Sequence, residues 1–444
     1  MNIFEQFVIP PNPEHVGLLF VLQVISLLTF IPFVGIMLGA TVFSVYFRRK
    51  GAKTGNPVYS RISKDLMDKL TVGKAAGYAL GILPLASSVL GYGQLLYGAK
   101  SISASMLIVS LLLYIVSFIF IYNYKNSLHL ASVFDSLKTG SEFPEEVSKF
   151  ENKSEYFGNR YGNWGVSLMF VSAFLFIGGT TIASKPGLWV SVDNILKPLI
   201  SPHIWVNYLF FIFASFAVTG SAILYFFFVW QGGIKNMPGE YHNIIRKLAL
   251  RSALSGLVPL PLFIFINILV LPTASTSQSV YVTAGFALMF ILITGNLLYS
   301  IYKNYESKYI GVVFFLMFFV FMFTVVKDQI VLLNSLKVHL IGVTAKAEEL
   351  AKEKEGAIVQ VSGADGEKIY NEKCVACHKF DQKVVGPPYQ ETVPKYNGDL
   401  KKLAGYIYNP QKINPEYPPM PNQGLKMKEA EAVAKYLMDK VGKK

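Results

Sequence analysis

The chain has 444 residues, 52% of them hydrophobic and only 16% charged. Soluble domains carry about 25% charge, so an ordinary water-soluble enzyme does not fit, and lipid is the expected solvent for most of the chain. The formal net charge of +13 would point to nucleic acid in a soluble protein. In a membrane protein it reflects Lys and Arg in cytoplasmic loops, and nucleic acid is not an expected partner.

After a short polar head, apolar runs long enough to cross a bilayer, about 20 residues each, are expected at 16–46, 71–97, 102–123, 163–184, 204–230, 252–273, 280–302 and 309–334. They make 1–334 an all-α bundle of eight spans. The first run is too long for a signal-peptide core, its head holds no Lys or Arg, and no small-residue cleavage site follows; it reads as a retained helix. Loop charge sets the orientation. Arg48, Arg49, Lys50, Lys53, Arg61, Lys64 and Lys69 fill one loop, with Lys125, Lys138, Lys149, Lys153 and Arg160 in the next on that side. Lys235, Arg246, Lys247 and Arg251, then Lys303 and Lys308, complete that face, against Lys100, Lys185 and Lys197 opposite. The basic face is cytoplasmic, so both termini are expected in the outer, periplasmic compartment.

The bundle reads as a duplication with halves 1–186 and 187–334. His15 opens the first span and His203 the fifth; Tyr59-Ser-Arg-Ile-Ser-Lys follows the first basic loop and Tyr241-His-Asn-Ile-Ile-Arg the third. Four helices per half keep both in one orientation, so the repeat is parallel rather than inverted. Compositional likeness among apolar helices is the competing explanation. A charged Ala/Lys/Glu-rich connector follows at 335–360, and 361–444 is water-soluble, with fourteen lysines and ten acidic residues.

The tail holds both cysteines of the chain, in Cys374-Val-Ala-Cys377-His378, the C-x-x-C-H pattern of c-type haem attachment. Two thiols three positions apart can reach the two vinyl groups of one porphyrin, and the adjacent imidazole can face the iron. A zinc site would want four ligands and finds no second cysteine pair; a thioredoxin-like pair would expect a βαβ setting. Met420, in the proline-rich Pro418-Pro419-Met420-Pro421, is too tightly flanked for a helix interior and is favoured as the sixth ligand. Met427 and Met438 compete; His/Met ligation raises the reduction potential.

In order and spacing, 361–444 resembles a short monohaem class I cytochrome c. Asp365-Gly-Glu-Lys-Ile-Tyr370 resembles that family's first helix, and Tyr408-Asn-Pro410 the end of its mid-domain helix. Met420-Pro421 followed by Lys428-Glu-Ala-Glu-Ala-Val-Ala-Lys-Tyr436 resembles its ligand loop and closing helix. The resemblance implies a small all-α domain with one covalent haem c on Cys374 and Cys377, and His378 and Met420 on its iron. It also implies Gly386 and Pro387 against the haem, with a carbonyl from that loop orienting His378. The closing helix would bring Tyr436 to Gly366 and Tyr370, and attachment outside the cytoplasmic membrane agrees with the loop charges.

Eight spans exceed what anchoring requires. His129 and His242 fall in cytoplasmic loops and His339 past the last span, so only His15 and His203 are placed to hold a haem b or a quinol headgroup; interfacial residues at helix starts are the plainer alternative. Lys74 and Lys327-Asp328 are ionisable groups at or within spans, though Lys74 can snorkel and the other two can pair. His15, Thr54-Gly-Asn-Pro-Val-Tyr59 and Gly73-Lys-Ala-Ala-Gly-Tyr-Ala-Leu-Gly81 loosely resemble the start of cytochrome bd subunit I, which implies a haem-ligand role for His15. The resemblance ends there, and that family's quinol-binding loop has no counterpart. The expectation is a membrane-bound cytochrome c in the inner membrane, passing single electrons between a membrane donor or respiratory complex and a periplasmic redox protein. The alternatives are a quinol-oxidising or oxidase-type subunit with haem b, and a docking or sensory subunit of a larger complex.

Overall fold

The computed structural model describes residues 13–138, 144–194, 196–234, 237–304, 308–359 and 363–442. The polar head before residue 13, Lys235 and the connector residues 360–362 lie outside them. The chain divides into two units, Met1–Thr344 and Ala345–Lys444, and the described residues contain no strand.

In the first unit α1 spans Pro13–Thr54, α2 Pro57–Leu70, α3 Lys74–Gly77 and α4 Leu83–Leu95, with a π turn at Tyr78–Ile82 joining the last two. Then come α5 (Ser103–Lys138), α6 (Pro144–Ala183), the short α7 (Gly187–Ser191), α8 (Pro202–Phe228), α9 (Gly239–Leu257), α10 (Leu260–Leu269), α11 (Gln278–Asn304) and α12 (Ile310–Val359), whose residues after Thr344 belong to the second unit. Among the described residues eight helical segments are long and apolar enough to cross a membrane, and the chain is a multi-pass membrane protein. Their outward faces carry large apolar residues such as Leu18, Leu112, Leu292 and Phe315, as lipid-facing helices do.

Several helices outrun the expected spans. α1 continues to Thr54, α5 to Lys138, and α6 begins at Pro144, because the Lys-, Arg- and Glu-rich flanks are themselves good helix formers. For the same reason the connector expected at 335–360 is helical through Val359, continuous with the eighth span. The second span is broken differently. Pro84 lacks an N–H and crowds the carbonyl four residues back, and the π turn at Tyr78–Ile82 takes up the extra residue.

In lipid there is no hydrophobic drive between helices, so close approach and hydrogen bonding hold them. α5 and α6 use a seven-residue repeat of small residues. Ser103 Oγ donates to Gly179 O at 2.7 Å, Ser110 and Ser172 exchange bonds with each other's carbonyl at 2.8 and 2.9 Å, and Ser117 Oγ donates to Gly165 O at 2.7 Å. α8 and α9 meet similarly: a Cβ on Gly220 would strike Ala249 and Ala253, and one on Gly256 would strike Phe213 and Ala217. At the basic end, Ser44 Oγ, Ser63 Oγ and Tyr124 Oη cluster at 2.9–3.3 Å. Beside them Tyr241 Oη donates to Asp65 Oδ2 at 2.8 Å, tying the amphipathic α2 to α9. Asp65 is pushed above the usual carboxylate range by burial, with the Tyr241 bond and Arg61 partly opposing.

The second unit contains α13 (Gly363–Ile369), a π turn at Tyr370–Cys374, α14 (Tyr389–Thr392), α15 (Leu400–Tyr408) and α16 (Met427–Val441). Asp399 caps α15, its side chain accepting from Lys402 N at 3.0 Å, and Glu429 reaches back to Lys426 N at 2.8 Å to cap α16. α13 crosses α16 at Gly366, where a Cβ would overlap Ala432 O and lie 2.8 Å from Tyr436 Cβ. Tyr370 and Tyr436 meet with ring centroids 5.5 Å apart.

Gly165→Leu should destabilise the bundle by about 1–3 kcal/mol, since even a Cβ there would lie 2.8 Å from Ile121 Cγ1. Gly93→Ala, which meets nothing within 4 Å, should leave the melting temperature of the detergent-purified protein within a few degrees of wild type. Equal melting of the two variants would refute the zipper.

Candidate cofactor site

The site starts from one turn of backbone. Cys374 O accepts from Cys377 N at 3.2 Å and from His378 N at 2.9 Å, which gathers the three motif residues at the end of the π turn. Cys374 is buried, Cys377 is partly exposed, and both are free thiols. Burial pushes the Cys374 thiol up, partly offset by a hydrogen bond with Tyr389.

The loop after the motif folds back over it. Gly386 N donates to Cys377 O at 2.9 Å, Tyr389 N to Lys379 O at 3.1 Å and Gln390 N to Phe380 O at 3.0 Å. This lays Gly386 on the imidazole so closely that a Cβ would overlap the His378 ring; only glycine fits. His378 Nδ1 then donates to Pro387 O at 3.0 Å. A carbonyl can only accept, so this bond fixes the tautomer and leaves the Nε2 lone pair free for a metal. The ring is also stacked on Tyr389, centroids 5.1 Å apart at 30°. Tyr389 escaped sequence reasoning; its position directly after Gly386-Pro387-Pro388 was the available signal.

A cavity of about 480 Å³ opens beside the motif, lined by Cys374, Cys377, His378 and Pro387 on one side and by Pro418, Pro419, Met420 and Pro421 on another. Its size falls in the range of small-molecule and cofactor sites. Of the three candidate methionines only Met420 lines it. Met427 is 44% exposed at the start of α16, and Met438 packs on the core with Val433 and Leu437. An imidazole nitrogen, a thioether and two free thiols around one apolar cleft suit haem iron and its porphyrin. Among the described residues no group of three His, Cys, Asp or Glu side chains could hold a bare metal ion.

In the first unit the structure separates the other candidates. A Cβ on Gly35 would meet Ser215 and one on Gly39 would meet Thr219, so α1 and α8 run parallel. Carried back along the two helices, that register puts His203 nearer the level of Gln23 than of His15. His129 Nε2 pairs with Asp68 at 2.7 Å, His242 packs edge-on against Phe228, and His339 Nε2 meets Tyr97 O at 3.0 Å. Lys74 is exposed, and Lys327 Nζ pairs with Asp328 Oδ1 at 2.8 Å.

These features define a small helical haem-binding domain carried by a multi-pass membrane protein. Residues 363–440 match the cytochrome c family. The segment is 34% identical over 77 residues to cytochrome c-551 of Pseudomonas denitrificans, covering 16% of this chain and 94% of that protein. It is 35% identical over 78 residues to cytochrome c-551 of Pseudomonas aeruginosa, covering 17% and 75%, and cytochrome c-551 of Azotobacter vinelandii matches at 34% over 77 residues, covering 16% and 94%. The chain belongs to the cytochrome c family. Haem c is therefore the cofactor of its second unit, and electron transfer its activity.

Gly386→Ala should push the His378 ring off the Pro387 carbonyl and destabilise the haem domain by about 1–3 kcal/mol, read by denaturant titration of the haem absorbance. Gly405→Ala, on α15 with nothing within 4 Å of its Cβ, should be neutral or slightly stabilising; a reversed order would refute the close approach.

Proposed function

We propose that this protein holds one haem c through Cys374 and Cys377, with His378 and Met420 as its axial ligands. In this reading it passes single electrons between a membrane donor or complex and a redox protein of the outer compartment. The observation that carries it is the common cleft onto which the fixed His378 ring and Met420 both open. The bound haem supplies a one-electron iron couple. The chain's own residues set its conditions: Pro387 O holds the imidazole, and Gly386 permits the contact. Val393, Leu403, Ile407 and Leu437 wall the cleft, so water is kept from the iron and the potential is raised. Lys373, Lys395, Lys402 and Lys412 also border it and suit docking to an acidic partner.

The crowding of Lys and Arg on one set of loops supports a topology with that face in the cytoplasm and the haem unit on the opposite side of the inner membrane. An alkaline phosphatase fused after residue 444 should then be active in cells, and one fused after Lys138 inactive; the opposite pattern would reverse the topology.

A pyridine haemochrome assay of the purified chain should give one haem c per polypeptide. Met420→Ala should lower the reduction potential by on the order of 0.1 V or more, within the ~0.8 V that axial ligands command. Met427→Ala and Met438→Ala should leave it nearly unchanged. A potential that responds to Met427 or Met438 instead would overturn the ligand assignment.

A further inference from the structure

The first unit contains a second cavity, of about 110 Å³, at the end of the bundle opposite the basic loops. It lies where α6 and α10 end, where α8 begins, and beside residues 327–331 of α12. Two lysines and one carboxylate, Lys185, Lys327 and Asp328, line it. Lys327 is 3% and Lys185 8% exposed, so most of both side chains is withdrawn from bulk water. Lys327 is matched by Asp328, whereas among the described residues Lys185 has no acceptor.

An unmatched buried charge is costly, and the other lysines on this side avoid that cost: Lys197 pairs with Asp193 at the surface, at 2.9 Å, and Lys100 is exposed. Burial first, and Lys327 second, push the Lys185 amine down to about 8, the shift that a nearby anion would reverse.

The rest of the lining is built rather than incidental. Asn267 Nδ2 donates to Asn207 Oδ1, and Asn207 Nδ2 donates to Thr181 Oγ1 at 2.9 Å, a polar chain across α10, α8 and α6 that leaves the Thr181 hydroxyl proton for an anion and the Asn267 carbonyl to accept from a headgroup hydroxyl. Gln329 Nε2 donates to Tyr92 Oη at 3.0 Å and closes another side. Phe176, Phe210, Phe211, Phe263 and Phe321 supply apolar walls. Asn207 and Thr181 sit within two turns of their helix ends, the depth at which lipid headgroups meet the hydrocarbon.

We propose that this cavity binds an anionic phosphate group, held by Lys185 with Lys327 beside it and seated by the Asn207–Thr181 chain. The aromatic walls favour a phospholipid, whose glycerol and acyl parts they would cover, over free phosphate, which would leave them unused.

The test uses the full-length holoprotein in detergent, with native mass spectrometry after addition of phosphatidylglycerol and, separately, thermal melting of delipidated protein titrated with inorganic phosphate. Wild type should retain about one phosphatidylglycerol per chain. Lys185→Gln should weaken retention about tenfold or more, the scale of one charge-assisted hydrogen bond lost, Lys185→Arg should restore most of it, and Lys100→Gln should change nothing. An unaltered haem spectrum and a monodisperse elution profile show that each variant is folded. Should Lys185→Gln fail to fold, Asn267→Ala, which keeps both lysines, must still reduce retention. Stabilisation by inorganic phosphate without lipid retention, lost in Lys185→Gln, would support the anion site with free phosphate as its source. Retention by Lys185→Gln equal to wild type, or no response of wild type to either probe, would overturn the proposal.

Discussion

Helices dissolved in lipid gain nothing from hiding apolar surface against one another, because the lipid is as apolar as they are. What they can gain is close contact and satisfied polar groups, and the first unit is organised around that constraint. Serine and glycine recur every seventh residue along α5 and α6 so that hydroxyls reach carbonyls across the interface. Glycines on α8 and α9 sit against each other's backbone. Where small residues would leave a polar side chain stranded, clusters such as Ser44–Ser63–Tyr124 absorb it.

The second unit faces the opposite difficulty. A domain of this size in water has too little apolar surface to be comfortably stable by itself. Its core, from Tyr370 and Tyr389 to Val433 and Leu437, is gathered around a cleft that takes a cofactor. Cofactor and fold therefore stabilise one another, as metal and fold do in small metal-binding domains. The same contacts serve both ends: Gly366 allows α13 and α16 to cross, and that crossing holds the π turn from which Cys374 and His378 present their side chains.

Much of this was legible in the chain. Spans of apolar residues declare their solvent by length, and C-x-x-C-H declares its chemistry by spacing, since the porphyrin's own dimensions dictate it. The choice among Met420, Met427 and Met438 was half legible: prolines around Met420 argued for a stiff loop, while exposure of Met427 and core packing of Met438 required coordinates. Helix ends were less legible, because charged flanks at 47–54 and 144–162 look like loops by polarity and behave as helix by propensity. Lys185 was read as one loop cation among three, and no local pattern marks it as buried.

From its sequence this protein had already acquired its two solvents, its apolar spans and the C-x-x-C-H motif proposed to attach its haem, for these depend on composition and on short covalent spacings. Tertiary structure decided which carbonyl orients His378, which methionine shares its cleft, that α1 and α8 run parallel, and that Lys185 faces a cavity beside Lys327. Each of those depends on the register between segments distant in the chain, and a register is set by packing, one small residue against another, which no single segment encodes.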